Sequence, residues 1–303
     1  MKKKILITGA GGFVGSELVN SFLKLNYEMH ALDKIFSYDL SEYKNIFFYK
    51  QDLSKYKKKE FNQIDYFIHA AAITNPKNIN FENSLIKKNI LLTKKSLELA
   101  IKLKTKKYFL ISSTGVYRSD KSEIYNEKSN VHSSNNYCKS KLLAEDIVIK
   151  FCATNNLDYK IIRLGNVYNG IEKKLWSRKN TSIFQKWFDN CKKNIPLQTD
   201  SFLTKRDWTY VKDIPLMIDS IIKSKNKRIK IINLVSPYIK TDIQMMKYIY
   251  KKMNKKYNYS ENKLSKINHN ATQSLYRKNF KFNKWTSPLK AITLIINSAN
   301  EKK

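Results

Sequence analysis

The sequence predicts an α/β protein built on a doubly wound parallel sheet, and three observations point there. Short apolar runs recur at 4–8, 28–33, 46–50, 65–70, 107–112 and 159–164. Helical stretches separate them at 13–25, 84–104 and 136–155. A glycine-rich turn joins the first run to the first helix. Buried strands that alternate with helices imply parallel pairing, because each parallel pair needs a crossover connection.

Taken in order, Lys4-Ile5-Leu6-Ile7-Thr8 reads as a short buried strand, and the next five runs repeat its pattern. The alternation breaks after about residue 165. Residues 166–205 are irregular and polar around one amphipathic stretch, Thr181 to Lys193. Residues 207–223 predict a short strand and a helix, and 229–235 another buried strand. A helix follows from Thr241, and a last one opens with Ser287 as N-cap and Pro288 at the first helical position. No internal repeat or long linker interrupts the chain. The expected architecture is a doubly wound sheet with a smaller, interleaved carboxy-terminal α/β half.

The 303 residues suffice for a sizeable core, and 42% hydrophobic content is ordinary. No segment approaches the ~20 continuous apolar residues of a membrane span, so no membrane partner is expected. The start, Met1-Lys2-Lys3-Lys4-Ile5-Leu6-Ile7, reaches glycine too soon for the apolar core of an export signal. Cys138, Cys152 and Cys191 are odd in number and lack metal-ligand spacing, so no metal and a reduced, cytoplasmic setting are expected. A net charge of +33 invites a polyanion partner. However, only six of the 58 basic residues are arginine, and the lysines are scattered through a chain rich in Asn and Ile, as an AT-rich genome would produce. With no nucleic-acid motif, specific nucleic-acid binding is not expected; attraction to small anions is.

Thr8-Gly9-Ala10-Gly11-Gly12-Phe13-Val14-Gly15 carries glycines at 9, 12 and 15 between strand and helix. That spacing allows a tight turn, close approach of backbone to a pyrophosphate and close helix–sheet contact, while the helix N-terminus offers N–H donors to phosphate. Asp33 ends the next strand, 18 residues past Gly15, where a carboxylate accepts hydrogen bonds from an adenosine ribose. It would repel a 2′-phosphate, which favours NAD over NADP, although Lys34 would partly offset the repulsion. Asp52 and Leu53, after the third strand, are placed to hold the adenine. Ala70, Ala71 and Ala72 supply small side chains where a dinucleotide must pass, and His69 before them reads as a packed residue.

Tyr137 and Lys141 stand four residues apart in a predicted helix, so they share one face with Cβ atoms about 5–6 Å apart. An ordinary tyrosine is a poor base at neutral pH, and a neighbouring ammonium favours its phenolate. The pair could therefore take and return a proton. In a chain this rich in Lys and Tyr such spacing also arises by chance; its context removes that explanation.

Together these segments resemble the extended short-chain dehydrogenase/reductases, particularly the nucleotide-sugar epimerases. Thr8 to Gly15 looks like the family's cofactor loop, His69 to Ala72 like its segment after strand four, and Asn89 like the asparagine of its central helix, a cofactor-site residue. Ile111-Ser112-Ser113-Thr114-Gly115-Val116-Tyr117 resembles the Ser-Ser-x-x-Val-Tyr segment, in which Ser113 would be catalytic with Tyr137 and Lys141. Arg163-Leu164-Gly165-Asn166-Val167-Tyr168-Asn169-Gly170 is similar to the Arg-x-x-Asn-Val-Tyr-Gly segment, with Asn166 on the substrate phosphate. Arg206-Asp207-Trp208-Thr209-Tyr210-Val211-Lys212-Asp213 resembles the segment whose arginine holds the substrate diphosphate. Trp285 to Pro288 looks like the closing motif. The competing reading of Arg206 is an ion pair with Asp207 or Asp213.

The resemblance implies a Rossmann-type domain binding NAD (1–165 plus 206–236), a substrate-binding domain (166–205 plus 237–303), a nucleotide-sugar substrate and a homodimer paired through 84–104 and 136–155. Related 4,6-dehydratases carry a threonine followed by an Asp-Glu pair; here those two positions are Thr114 and Gly115, which cannot act as carboxyls. The family's usual glycine after Val-Tyr is Arg118 at one site and Asn169 at the other. The expected activity is epimerisation of a nucleotide sugar, at C4. An NAD(P)H-dependent reductase of a nucleotide 4-keto-deoxysugar would use the same three residues. A non-catalytic dinucleotide sensor would be expected to lose part of that set.

Overall fold

The computed structural model describes residues 2–36, 45–56, 63–74, 82–117, 124–132, 135–170, 172, 178, 180–261 and 271–300. Its elements run β1 (Lys4–Thr8), α1 (Phe13–Lys24), β2 (Glu28–Asp33), β3 (Ile46–Lys50), β4 (Tyr66–His69), α2 (Glu82–Lys102), β5 (Lys107–Ser113), α3 (Asn136–Thr154) and β6 (Asp158–Leu164). There follow β7 (Asn166–Tyr168), α4 (Ile183–Lys192), β8 (Leu197–Thr199), β9 (Lys205–Tyr210), α5 (Ile214–Lys223), β10 (Ile231–Leu234), β11 (Ile239–Thr241), α6 (Asp242–Lys252), β12 (Tyr259–Glu261) and α7 (Pro288–Asn300).

Seven strands form the central sheet in the order β3-β2-β1-β4-β5-β6-β10, every pair parallel. The predicted doubly wound architecture is present, and the strand period explains it. Ile5 and Ile7 face one core with α1 and α5, while Leu6 between them faces another with α2 and α3. Phe109 and Ile111 against Tyr108 and Leu110 repeat the alternation. Each fully buried side chain of this kind contributes about 1.5–3 kcal/mol, so a one-residue slip of register would reverse a large term. Strand order reverses at β1, whose neighbours are β2 and β4, and a crevice opens at the carboxyl ends of strands at such a point.

A third core holds Tyr168, Phe184, Trp187, Trp208, Met246 and Ile292, from β7, α4, β9, α6 and α7. Two small sheets accompany it, β11-β9-β7 and β12-β8. The irregular reading of 166–205 therefore missed β7 and β8; strands of three residues are too short to show a period. The stretch 206–236, expected in the larger half, contributes strands to two sheets. Strand β9 pairs with β7 and β11 in a small sheet, and only α5 and β10 join the central one. In the other direction, Phe280 and Phe282, expected in the smaller half, pack into the core beneath α1 and α5.

Helix ends match the sequence chemistry. Thr241 caps α6 in a reciprocal capping box with Gln244, and the Ser287 hydroxyl accepts a hydrogen bond from Lys290 N at 3.4 Å. After α1, α3, α4 and α6 the chain turns through left-handed Asn26, Asn156, Asn194 and Asn254, the role glycine often fills.

Candidate active site

The glycine loop bends where β1 meets α1. Gly9 has φ of 72°, and a Cβ there would lie 2.5 Å from Ala71 N. A Cβ on Gly15 would lie 2.0 Å from Gly9 O. Both positions exclude any side chain, so α1 starts hard against β1 and β4. Gly12 caps α1 without a side-chain hydrogen bond, and no acidic residue sits in the first turn. The positive end of the helix dipole thus faces the crevice uncompensated, which suits a pyrophosphate.

Two cavities meet over this loop, sharing Gly9, Gly12, Ala70 and Ala72. The first, about 280 Å³, is lined by Asp33, Lys34, Asp52, Leu53 and the alanines that follow β4. Asp33 accepts hydrogen bonds from Gly11 N at 2.9 Å and Ile35 N at 3.4 Å; burial raises its carboxyl pKa, and those amides oppose the rise. Lys34 reaches across to Asp52 at 2.6 Å. Burial would raise the Asp52 carboxyl as well, but Lys34 and Ser54 outweigh it and hold it below the usual range. These residues fit an adenosine with free ribose hydroxyls: a carboxylate at the end of β2, small residues along the floor and a cradle that any Cβ would fill.

The second cavity, about 290 Å³, brings together Ser113, Tyr137 and Lys141 with Phe13, Val14 and Gly15. Ser113 ends β5, and its hydroxyl accepts from Gly115 N at 3.1 Å. Tyr137 lies in the first turn of α3, which Asn135 caps by accepting from Cys138 N at 2.9 Å. Lys141 is buried one turn later; its Nζ donates to Ile111 O at 2.8 Å and stands 5.7 Å from the Tyr137 ring centroid. Burial pushes this ammonium down to about 8, against the pull of Glu145.

Burial raises the Tyr137 phenol above its ordinary value, Cys138 adds to the rise, and the Arg178 cation opposes it. The Lys141 ammonium is turned onto the Ile111 carbonyl. Arg178 lines the same cavity, stacked 4.8 Å over the Phe13 ring and paired with buried Glu172 at 3.0 Å. Sequence reading missed it because it falls in a stretch without periodicity. Gly11 was missed too, although its amide ties the loop to Asp33.

Other expected residues take supporting positions. Asn89, expected on the cofactor, is buried and clamps Ile73 through both backbone groups, at 2.9 and 3.0 Å, with a third bond to Ser140. It lines neither cavity and fixes the segment after Ala72. His69 is buried between Thr8, at 2.7 Å, and Thr93, and burial drives its imidazole down to about 3, as a packed residue requires. Asn166 lies between two lining residues, Gly165 and Val167, and donates to Asp207 from its backbone, at 2.6 Å, and from its side chain. Arg206 is ion-paired, but with neither Asp207 nor Asp213: Asp242, fully buried at the start of α6, takes its Nε at 2.8 Å and a second nitrogen at 3.1 Å. Asp207 instead holds Asn166 and Thr272, and Asp213 holds Thr286. Arg118 lies outside the described residues, and among these no cluster of potential metal ligands occurs.

Known proteins share this fold. A dTDP-D-glucose 4,6-dehydratase of Dictyostelium discoideum is 31% identical over 248 residues, which is 73% of this chain and 56% of that protein. A mutant UDP-glucuronic acid 4-epimerase from Bacillus cereus, in complex with UDP-4-deoxy-4-fluoro-glucuronic acid and NAD, superposes with a TM-score of 0.85 at 20% identity, over 99% of this chain and 100% of that one. A UDP-N-acetylglucosamine 4-epimerase from Methanobrevibacter ruminantium reaches 0.87 at 19% identity over the whole of both chains. At such identities the superpositions establish the fold. Membership rests on residues 5–234, which carry the glycine loop, Ser113, Tyr137 and Lys141 and match one family over most of the chain: the protein belongs to the NAD dependent epimerase/dehydratase family.

Proposed function

We propose that this protein is an NAD-dependent epimerase of a nucleotide-activated sugar, inverting C4 through a transient keto sugar. The observation that carries the reading is the single cavity in which Ser113, Tyr137 and Lys141 meet the glycine loop. Gly9, Gly12 and Gly15, with the N-terminus of α1, would hold the pyrophosphate, Asp33 the adenosine ribose, and Lys141 the nicotinamide ribose. Bound there, NAD supplies hydride acceptance and return at the reacting carbon. Ser113 would hydrogen-bond the sugar hydroxyl and orient it. Tyr137 would remove its proton and give it back after the keto sugar turns over. Asn166 and Arg206 would meet the diphosphate, with Asp242 keeping the Arg206 fork oriented.

Sugar-ring dehydration is disfavoured although a relative performs it. Thr114 and Gly115 occupy the positions of the carboxyl pair, and a Cβ at 115 would make a tight 3.1 Å contact with Cys138 Sγ. A homodimer is proposed through α2 and α3, where Leu91, Ile101, Leu143 and Ile149 remain exposed. Cytoplasmic location accords with three buried cysteines, none of them in a disulfide.

Incubation with a panel of nucleotide sugars and no added cofactor, followed by NMR of the products, tests the reading. Inversion at C4 without added dinucleotide is expected. Turnover only when NAD(P)H and a keto sugar are supplied would replace the epimerase with a reductase. No turnover in either arm, with dinucleotide bound, would leave a sensor.

A further inference from the structure

The first cavity is lined by four charged side chains, Lys88 of α2 and three, Asp33, Lys34 and Asp52, at the end of β2 and the turn after β3, and the pairing of those three has a consequence for which dinucleotide enters. Lys34 follows Asp33 directly, the position from which a cation could receive a 2′-phosphate. Its ammonium is engaged elsewhere, on Asp52 Oδ2 at 2.6 Å. Asp52 is itself held in place: its other oxygen accepts from Ser54 N at 2.9 Å and Ser54 Oγ at 2.8 Å, and Gln51 N donates to Asp33 O at 2.9 Å, which ties this turn to the end of β2. All three charged side chains line the same cavity.

We infer that Asp52 is the specificity-determining residue for the dinucleotide, because it holds Lys34 away from the 2′ position and leaves the Asp33 carboxylate unopposed there. The inference rests on the dinucleotide reading above. With the pair intact these three side chains sum to one negative charge beside the ribose, which disfavours a 2′-phosphate there; Lys88, which also lines the cavity, is the same in every variant and drops out of the comparison. With Asp52 neutralised they sum to zero, and the released ammonium can swing to the phosphate. The Lys34–Asp52 pair is partly exposed, with side chains 43% and 21% accessible, so its grip is modest and the switch is correspondingly limited. The carboxamide of Asp52→Asn keeps the oxygen that Ser54 uses, so the turn retains its shape.

The test is titration of the purified protein with NAD and with NADP by calorimetry, for wild type, Asp52→Asn, Lys34→Ala and the double variant, each checked for an unchanged melting profile. Asp52→Asn should lower the ratio of NADP to NAD dissociation constants by about tenfold, the effect expected of one charge at this exposure. Lys34→Ala alone should not improve NADP binding, and in the Asp52→Asn background it should erase the gain, because the released ammonium is what would receive the phosphate. An unchanged ratio in Asp52→Asn overturns the inference, as does a gain that survives Lys34→Ala in that background, which would mean that the Lys34 ammonium does not receive the phosphate. Failure of the wild type to bind either dinucleotide would instead sink the functional reading on which the inference stands.

Discussion

Glu145→Ala should be among the most damaging single substitutions outside the hydrophobic cores. The Glu145 carboxylate accepts the Ser112 hydroxyl at 2.5 Å, Arg163 Nε at 3.0 Å and Arg163 Nη2 at 2.6 Å, and both charged side chains are only 5% accessible. Arg163 also donates to Tyr117 Oη at 2.9 Å, and Tyr117 donates on to Asn233 at 2.8 Å. The network ties α3, β5, β6 and β10 together one turn beyond Lys141 and one residue before Ser113. Truncating Glu145 leaves a buried guanidinium with its hydrogen bond to Tyr117 but no carboxylate, and removes the acceptor from Ser112. Breaking one side of a buried pair costs about 3–5 kcal/mol, against which the unmet Ser112 hydroxyl adds about 1 kcal/mol. A loss of about 5 kcal/mol corresponds to a melting temperature lower by about 8 °C, taking an unfolding entropy of about 2.1 cal/mol/K per residue over 303 residues. Replacing both partners, as in Glu145→Leu with Arg163→Met, should recover most of the loss, because no buried charge is left unpaired. Urea unfolding of the two single variants and the double variant gives the coupling directly. A Glu145→Ala loss under about 1 kcal/mol, or a double variant no better than the singles, would refute the account of this network.

Gly15→Ala should abolish dinucleotide binding or destabilise the fold by several kcal/mol, since its methyl would sit 2.0 Å from Gly9 O, a backbone atom that cannot yield; retained nanomolar-to-micromolar binding in a titration would contradict that geometry. Tyr137→Phe should remove turnover while leaving NAD affinity within about threefold, because only the proton carrier is lost; substantial residual turnover would take Tyr137 out of the mechanism. Activity should decline as pH rises through about 8, where buried Lys141 sheds its proton, and a rate profile flat to pH 10 would speak against an ammonium at that position. Asp207 offers a pH test of stability. Burial lifts its carboxyl to about 6, above its unfolded value of 3.8. The sign follows: its contribution is fully present below pH 3.8 and is lost as pH rises through about 6. The stability of wild type minus that of Asp207→Asn should therefore grow as pH falls from 7 to about 4, and a difference that shrinks over that range would show the opposite shift.

The central sheet and the core of the candidate site were readable along the chain because both depend on local signals. Ile5, Leu6 and Ile7 alternate between faces wherever the strand lies, and Gly9, Gly12 and Gly15 announce a turn that only glycine can make. The spacing of Tyr137 and Lys141 sets their common face once α3 forms, and Ser113 falls at a strand end for the same reason. Long-range pairing decided the rest. Strands β7, β8, β11 and β12 carry three residues each, too few for a period, and exist because distant segments supply their partners. Arg206 could have met any of several aspartates, and only the folded chain selects Asp242, 36 residues on. Likewise the Lys141 ammonium turns to Ile111 O, and Lys34 to Asp52, because burial and reach act through space rather than along sequence. The sequence by itself determined which chemical groups stand at the ends of the strands. The tertiary structure decided which charges neutralise one another there, since an ion pair is set by distance and desolvation, and neither is a property of a residue alone.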